Sequence, residues 1–119
     1  MSSTILVDPE AIANLRSLCP DDGDAFLKEI LSIFIDDTPA RIAELRTSLA
    51  EGNVQVFVRA AHSIKGSSSN VGASELRSAA EKLEHLARTQ GLSNVAQPTA
   101  ELEACFQRAK IALLQLVAA

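Results

Sequence analysis

Ala60-Ala61-His62-Ser63-Ile64-Lys65-Gly66-Ser67-Ser68-Ser69-Asn70 is the stretch on which the fold turns. Gly and three serines are weak helix formers, and propensity alone ends a helix at Gly66. The apolar period says otherwise. At 100° per residue, Val54, Phe57, Val58, Ala61, Ile64, Ser68 and Val71 fall on one side, so the helix is expected to run from just after Asn53 to about Asn70. Gln55, Arg59, His62, Gly66 and Ser69 fall on the opposite side, and His62 is expected to face solvent or a partner.

Helical spacing recurs on both sides of this stretch. Asp8 followed by Pro9 is a good helix start, and Ile12, Leu15 and Leu18 then give a short apolar side before Cys19-Pro20-Asp21-Asp22-Gly23 interrupts. A second helix is expected from near Asp22 or Asp24, with Phe26, Leu27, Ile30, Leu31, Phe34 and Ile35, then Ile42, Leu45 and Leu49, ending at Glu51-Gly52-Asn53. Pro39 is expected to kink or restart it, with Asp37 or Thr38 as a cap. Asp21, Asp22 and Asp24 read as cap and turn rather than as a metal site. Gly72 reads as a C-terminal glycine.

A fourth helix is expected from Ala73-Ser74 to Gln90-Gly91, with Leu76, Ala79, Ala80, Leu83, Leu86 and Ala87 inward and Arg77, Glu81, Glu84 and Arg88 outward. The last helix, beginning between Ser93 and Thr99, carries Leu102, Cys105, Phe106, Ala109, Leu113 and Leu116. The expected architecture is all-α: an antiparallel up-down four-helix bundle with a short additional N-terminal helix, residues 1–7 a tail and 8–118 a single domain.

Composition bounds the function. The chain of 119 residues is 47% hydrophobic but only 3% aromatic, which suits close-packed helices of Leu, Ile, Val and Ala. A net charge of -4 without a basic cluster argues against nucleic acid or an anionic membrane as the partner. Cys19 and Cys105 match no metal or redox spacing and read as reduced packing residues in apolar surroundings. The N-terminus lacks the basic start and apolar stretch of a signal peptide, no run approaches a membrane span, and the cytoplasm is the expected compartment.

The chemistry concentrates at His62. Residues three and four apart on a helix are surface neighbours, so His62 has the Lys65 ammonium on one side and the space left by Gly66 on the other. An imidazole with an ordinary pKa near 6.5 is mostly neutral in the cell, and a ring nitrogen can attack. Lys65 suits phosphoryl oxygens, and Gly66 removes the side chain that would obstruct a phosphoryl group on the ring. There is no G-x-x-x-x-G-K-[ST] loop, no G-x-G-x-x-G cradle and no acidic pair for a metal–nucleotide, so a phosphoryl group would have to come from another protein. His85 reads as an ordinary helix residue, and two histidines supply no metal spacing.

Ala61-His62-Ser63-Ile64-Lys65-Gly66, then Val71-Gly72-Ala73, Leu76 and Leu83-Glu84, resembles the histidine-containing phosphotransfer (HPt) domain of two-component phosphorelays. A lone H-x-x-K-G is a weak signal, whereas its combination with the downstream V-G-A and L-E is specific. The resemblance spans nearly the whole chain, the Phe26-to-Leu49 arm included. It implies a four-helix bundle with His62 phosphorylated on Nε2, Lys65 facing the phosphate, Gly66 leaving room, and Glu84 accepting a hydrogen bond from imidazole Nδ1. Arg88, one turn beyond, would help to neutralise the phosphate, and Arg59, Ser63 and Ser69 would lie at the partner surface. The implied role is a stoichiometric carrier between receiver-domain aspartates, or from a hybrid sensor histidine kinase to a response regulator, rather than an autonomous enzyme. No cofactor is expected on this chain, since Mg²⁺ would belong to the receiver domain. A monomer is expected, because the bundle core is already satisfied. Two rival readings stand beside this one: a non-catalytic helical module that binds and regulates a receiver or kinase, and the histidine-bearing end of a larger kinase.

Overall fold

Local capping sets the helix starts in the computed structural model, which describes residues 6–117. Helix α1 (Pro9–Leu18) begins where Asp8 accepts the Glu10 amide at 2.9 Å, with Pro9 in the first turn. Helix α2 (Ala25–Glu51) follows Asp24, whose φ of 69° lies in the left-handed region. The capping is done by Asp22, which accepts the Phe26 amide at 2.9 Å. Both aspartates therefore serve the turn, and Asp24 also receives the Arg16 guanidinium at 3.1 Å.

Pro39 does not restart α2, contrary to one of the two outcomes the sequence suggested; one 27-residue helix runs through it. Proline removes a single backbone bond, while the buried row Leu27, Leu31, Phe34, Thr38, Ile42 and Leu45 continues unbroken on both sides of it. Thr38 is not a cap. It is buried, and its hydroxyl donates to the Phe34 carbonyl at 2.7 Å. Asp37 instead pairs with Arg41.

Helix α3 (Val54–Asn70) starts where Asn53 accepts the Val56 amide at 3.2 Å and passes straight through Gly66 and the serines. Its buried residues are Phe57, Ala60, Ala61, Ile64 and Ser68. Val54 lies in the first turn, short of the packed region, and is exposed rather than inward. Gly72, with φ 72°, turns the chain into α4 (Ser74–Gln90), and α5 (Ala96–Val117) closes the bundle. Helix α3 packs on α2 and α4, and α5 packs on the same two, so α3 and α5 occupy opposite corners. Phe34 and Phe106 meet in the middle at 6.1 Å between ring centroids. Helix α1 lies against α2, its Ile12 buried.

Three further apolar positions differ from expectation. Leu18 ends α1 and is exposed, and Leu116 in the last turn of α5 is exposed beside α1 although its neighbour Val117 packs on the core. Cys19 is exposed rather than a packing residue, because it follows the last turn of α1, whereas Cys105 is buried as expected. Of the expected tail, Val7 packs against the core. Residues 1–5 and Ala118 lie outside the described residues.

Candidate functional site

The site forms where α3 meets α4. A histidine on the outer side of α3 keeps its ring in solvent, and the His62 side chain is 62% exposed. Its Nδ1 lies 3.0 Å from Oε2 of Glu84, which α4 supplies. Glu84 departs from its expected outward position: its side chain is only 8% exposed. The α3–α4 contact explains the difference, since Glu84 follows the buried Leu83 and points toward the seam between the helices instead of away from it.

A buried carboxylate needs its charge answered. Arg88, one turn along α4, donates to Oε2 from Nε at 3.1 Å and from Nη2 at 2.8 Å. The Lys65 ammonium lies 2.8 Å from Oε1, an ion pair without hydrogen-bond alignment. Burial pushes the Glu84 carboxyl upward, but Lys65, Arg88 and His62 together outweigh it and hold the group at about 2. Glu84 is therefore ionised at any physiological pH and can only accept hydrogen bonds. Its contact with Nδ1 then requires the proton to sit on Nδ1, and a neutral His62 ring carries its lone pair on Nε2.

Gly66 is exposed, and a Cβ there would meet nothing within 4 Å. Its lack of a side chain is not demanded by packing inside the protein. Arg59, Ser63 and Ser69 are exposed along the same side of α3, but none of their side chains bonds to the His62–Glu84 group among the described residues. The structure thus gathers His62, Lys65, Glu84 and Arg88 into one cluster and leaves Arg59, Ser63 and Ser69 as neighbouring surface.

Two features lay outside the sequence reading. Lys65, Glu81, Glu84, His85 and Arg88 line a shallow depression of about 200 Å³ beside the histidine. Across α3, a groove of about 180 Å³ is lined by Ile30, Ile33, Phe34, Asp37, Ser67, Asn70 and Val71, with Ile33 59% exposed. An exposed isoleucine on an otherwise regular amphipathic helix was the available signal for the second. Among the described residues, no group of three or more His, Cys, Asp or Glu side chains could hold a metal ion, and no helix is long and apolar enough to cross a membrane.

Fold and site together define a helical-bundle protein that presents a solvent-facing histidine whose Nδ1 lies against a buried carboxylate from the next helix. Residues 29–115 match the Hpt domain family, and the chain belongs to that family. It is thereby a phosphotransfer protein of the phosphorelay type. The chain is similar to histidine-containing phosphotransfer protein B (HptB) from Pseudomonas aeruginosa, at 28% identity and a TM-score of 0.85, covering 98% of this chain and 96% of that one. It shares its fold with the HPT domain of a sensor hybrid histidine kinase from Shewanella, at 17% identity and a TM-score of 0.70, covering 89% and 91% respectively. No curated protein matches the chain significantly in sequence.

Proposed function

We propose that the protein relays phosphoryl groups through a transient phosphohistidine at His62 Nε2. The observation that carries this reading is the 3.0 Å contact between Nδ1 and an ionised Glu84, which leaves Nε2 as the free nucleophile. In the forward step the Nε2 lone pair attacks phosphorus in the acyl phosphate of a receiver aspartate. The N–P bond forms, the P–O bond to the aspartate breaks, and the aspartate leaves as a carboxylate. The proton stays on Nδ1, and the positive charge gathered by the ring faces the Glu84 carboxylate. Lys65 and Arg88, already beside the ring, supply cations to the phosphoryl oxygens. The reverse sequence returns the group to a second receiver, and the protein acts as a stoichiometric carrier.

The docking surface for the receiver is the exposed side of α3. Apolar contact comes from the Ile33 edge on α2 and charge from Arg88 on α4, with Arg59, Ser63 and Ser69 between. The donor is a hybrid sensor histidine kinase or another receiver domain in the cytoplasm, and Mg²⁺ resides on the receiver. The test is incubation with a phosphorylated receiver domain. Acid-labile, base-stable label should appear on the wild type and not on His62→Gln, whose circular dichroism should be unchanged. Normal labelling of that variant would overturn the reading.

A further inference from the structure

The outer side of α5 is unoccupied by the site and carries a pattern of its own. Ala100, Ala104, Gln107, Ile111 and Leu114 are spaced alternately by four and three residues, the period of a coiled-coil seam. All five are exposed, Ile111 at 58% and Leu114 at 46%, while Leu102, Ala109 and Leu113 bury the opposite side of the helix in the bundle. No charge interrupts the row. Charges flank it instead: Glu101 and Arg108 along one edge, Glu103 and Lys110 along the other.

On each edge the acid precedes the base by one heptad, and this determines which partner fits. When two such helices meet antiparallel, each edge faces the same edge of the other helix. Glu101 then lies opposite Arg108 of the second copy, and Glu103 opposite its Lys110, every pair being made twice. The same register sets Ile111 over Ala100 and Ala104 over Gln107, large against small. Within the chain, Arg108 reaches Glu75 and Glu103 reaches Arg46, but Glu101 and Lys110 have no ion-pair partner among the described residues. A parallel pairing serves the sequence less well. It matches only Glu103 with Arg108 and stacks Gln107 on itself.

We propose that the protein forms a homodimer through antiparallel packing of the outer faces of α5. This departs from the monomer expected on the ground of a satisfied core, because that ground says nothing about an apolar seam on the outside. Helices α3 and α5 occupy opposite corners of the bundle, so both copies of His62 stay open to other proteins. The seam is short, and the association is accordingly weak and reversible. The proposal does not depend on the phosphorelay reading of His62.

Sedimentation velocity from micromolar to millimolar concentration tests it. The wild type should show a reversible monomer–dimer equilibrium at low salt. Ile111→Lys, at an exposed position, should stay monomeric throughout with its helical content unchanged, and Lys110→Glu should raise the dissociation constant roughly tenfold through reversed edge pairs. Orientation is read by oxidative cross-linking in a Cys19→Ser background. Ala100→Cys chains mixed with Ile111→Cys chains should give covalent dimers more readily than either variant alone. A wild type monomeric at every concentration, dimerisation undiminished in Ile111→Lys, or cross-linking favouring like with like would each overturn the antiparallel dimer.

Discussion

At Glu84, burial and ionisation oppose each other, and the outcome decides the state of His62. Lys65, Arg88 and His62, from two helices, hold the carboxyl at about 2, well below its ordinary value of 4.5. A depressed carboxyl stabilises the fold fully above its unfolded-state pKa, and that contribution is lost as pH falls through the folded value. The shift corresponds to on the order of 3 kcal/mol. The stability difference between wild type and Glu84→Gln, from urea unfolding, should therefore shrink by about that amount as pH drops from neutrality toward 2. A difference independent of pH would remove the ionised carboxylate from the account. Gly66 makes the complementary case. An exposed glycine inside a helix costs about 1 kcal/mol relative to alanine, and here open space surrounds it. Gly66→Ala should raise stability by up to that amount while slowing phosphoryl transfer, because the added methyl lies one turn from the imidazole. A variant both more stable and fully active would show that the clearance serves nothing.

At the scale of elements, the motif that carries the family resemblance divides into chemistry and architecture. Gly72 takes φ 72°, and its carbonyl accepts the Asp8 amide at 2.7 Å, tying the start of α1 to the α3–α4 turn. A Cβ there would lie 2.7 Å from the Ala11 Cβ and 3.1 Å from the Asp8 carbonyl oxygen. Left-handed strain of about 1–2 kcal/mol then adds to a steric clash. Gly72→Ala should lower the unfolding free energy by about 2 kcal/mol or more, with His62 still reactive in whatever fraction remains folded; an unchanged midpoint would contradict this close approach. Helix α2 teaches a different lesson. Pro39 is a strong local signal for a break, but a row of buried side chains on either side outweighs the loss of one backbone bond.

Across the whole molecule, the proposed relay site occupies the seam of α3 and α4, while α1 is an addition to the bundle that packs mainly on α2. Ile12 is its buried anchor at 2% exposure, supported by Arg16, which reaches both Asp24 and the Leu116 carbonyl. Removing a buried isoleucine side chain down to alanine costs about 2–5 kcal/mol. Ile12→Ala should lower the thermal midpoint followed by far-ultraviolet circular dichroism, yet phosphoryl transfer below that midpoint should persist. Loss of transfer in a still-folded variant would tie α1 to the site.

Periodicity and capping residues alone determined that the chain is helical, where most helices begin and end, and that His62 faces outward with Lys65 and Gly66 beside it. These are properties of one helix, settled by spacing along it. Periodicity could not place Glu84, which a helical wheel sets among outward charges although the family resemblance sets it against the imidazole, nor could it foresee that Leu18, Leu116 and Cys19 near helix ends are exposed. Those positions depend on how closely a second helix approaches, and only the tertiary structure decides it. The same holds for the central feature of the site. A carboxylate from another helix, ionised beside Lys65 and Arg88, accepts a hydrogen bond from one ring nitrogen of His62 and leaves the other facing solvent.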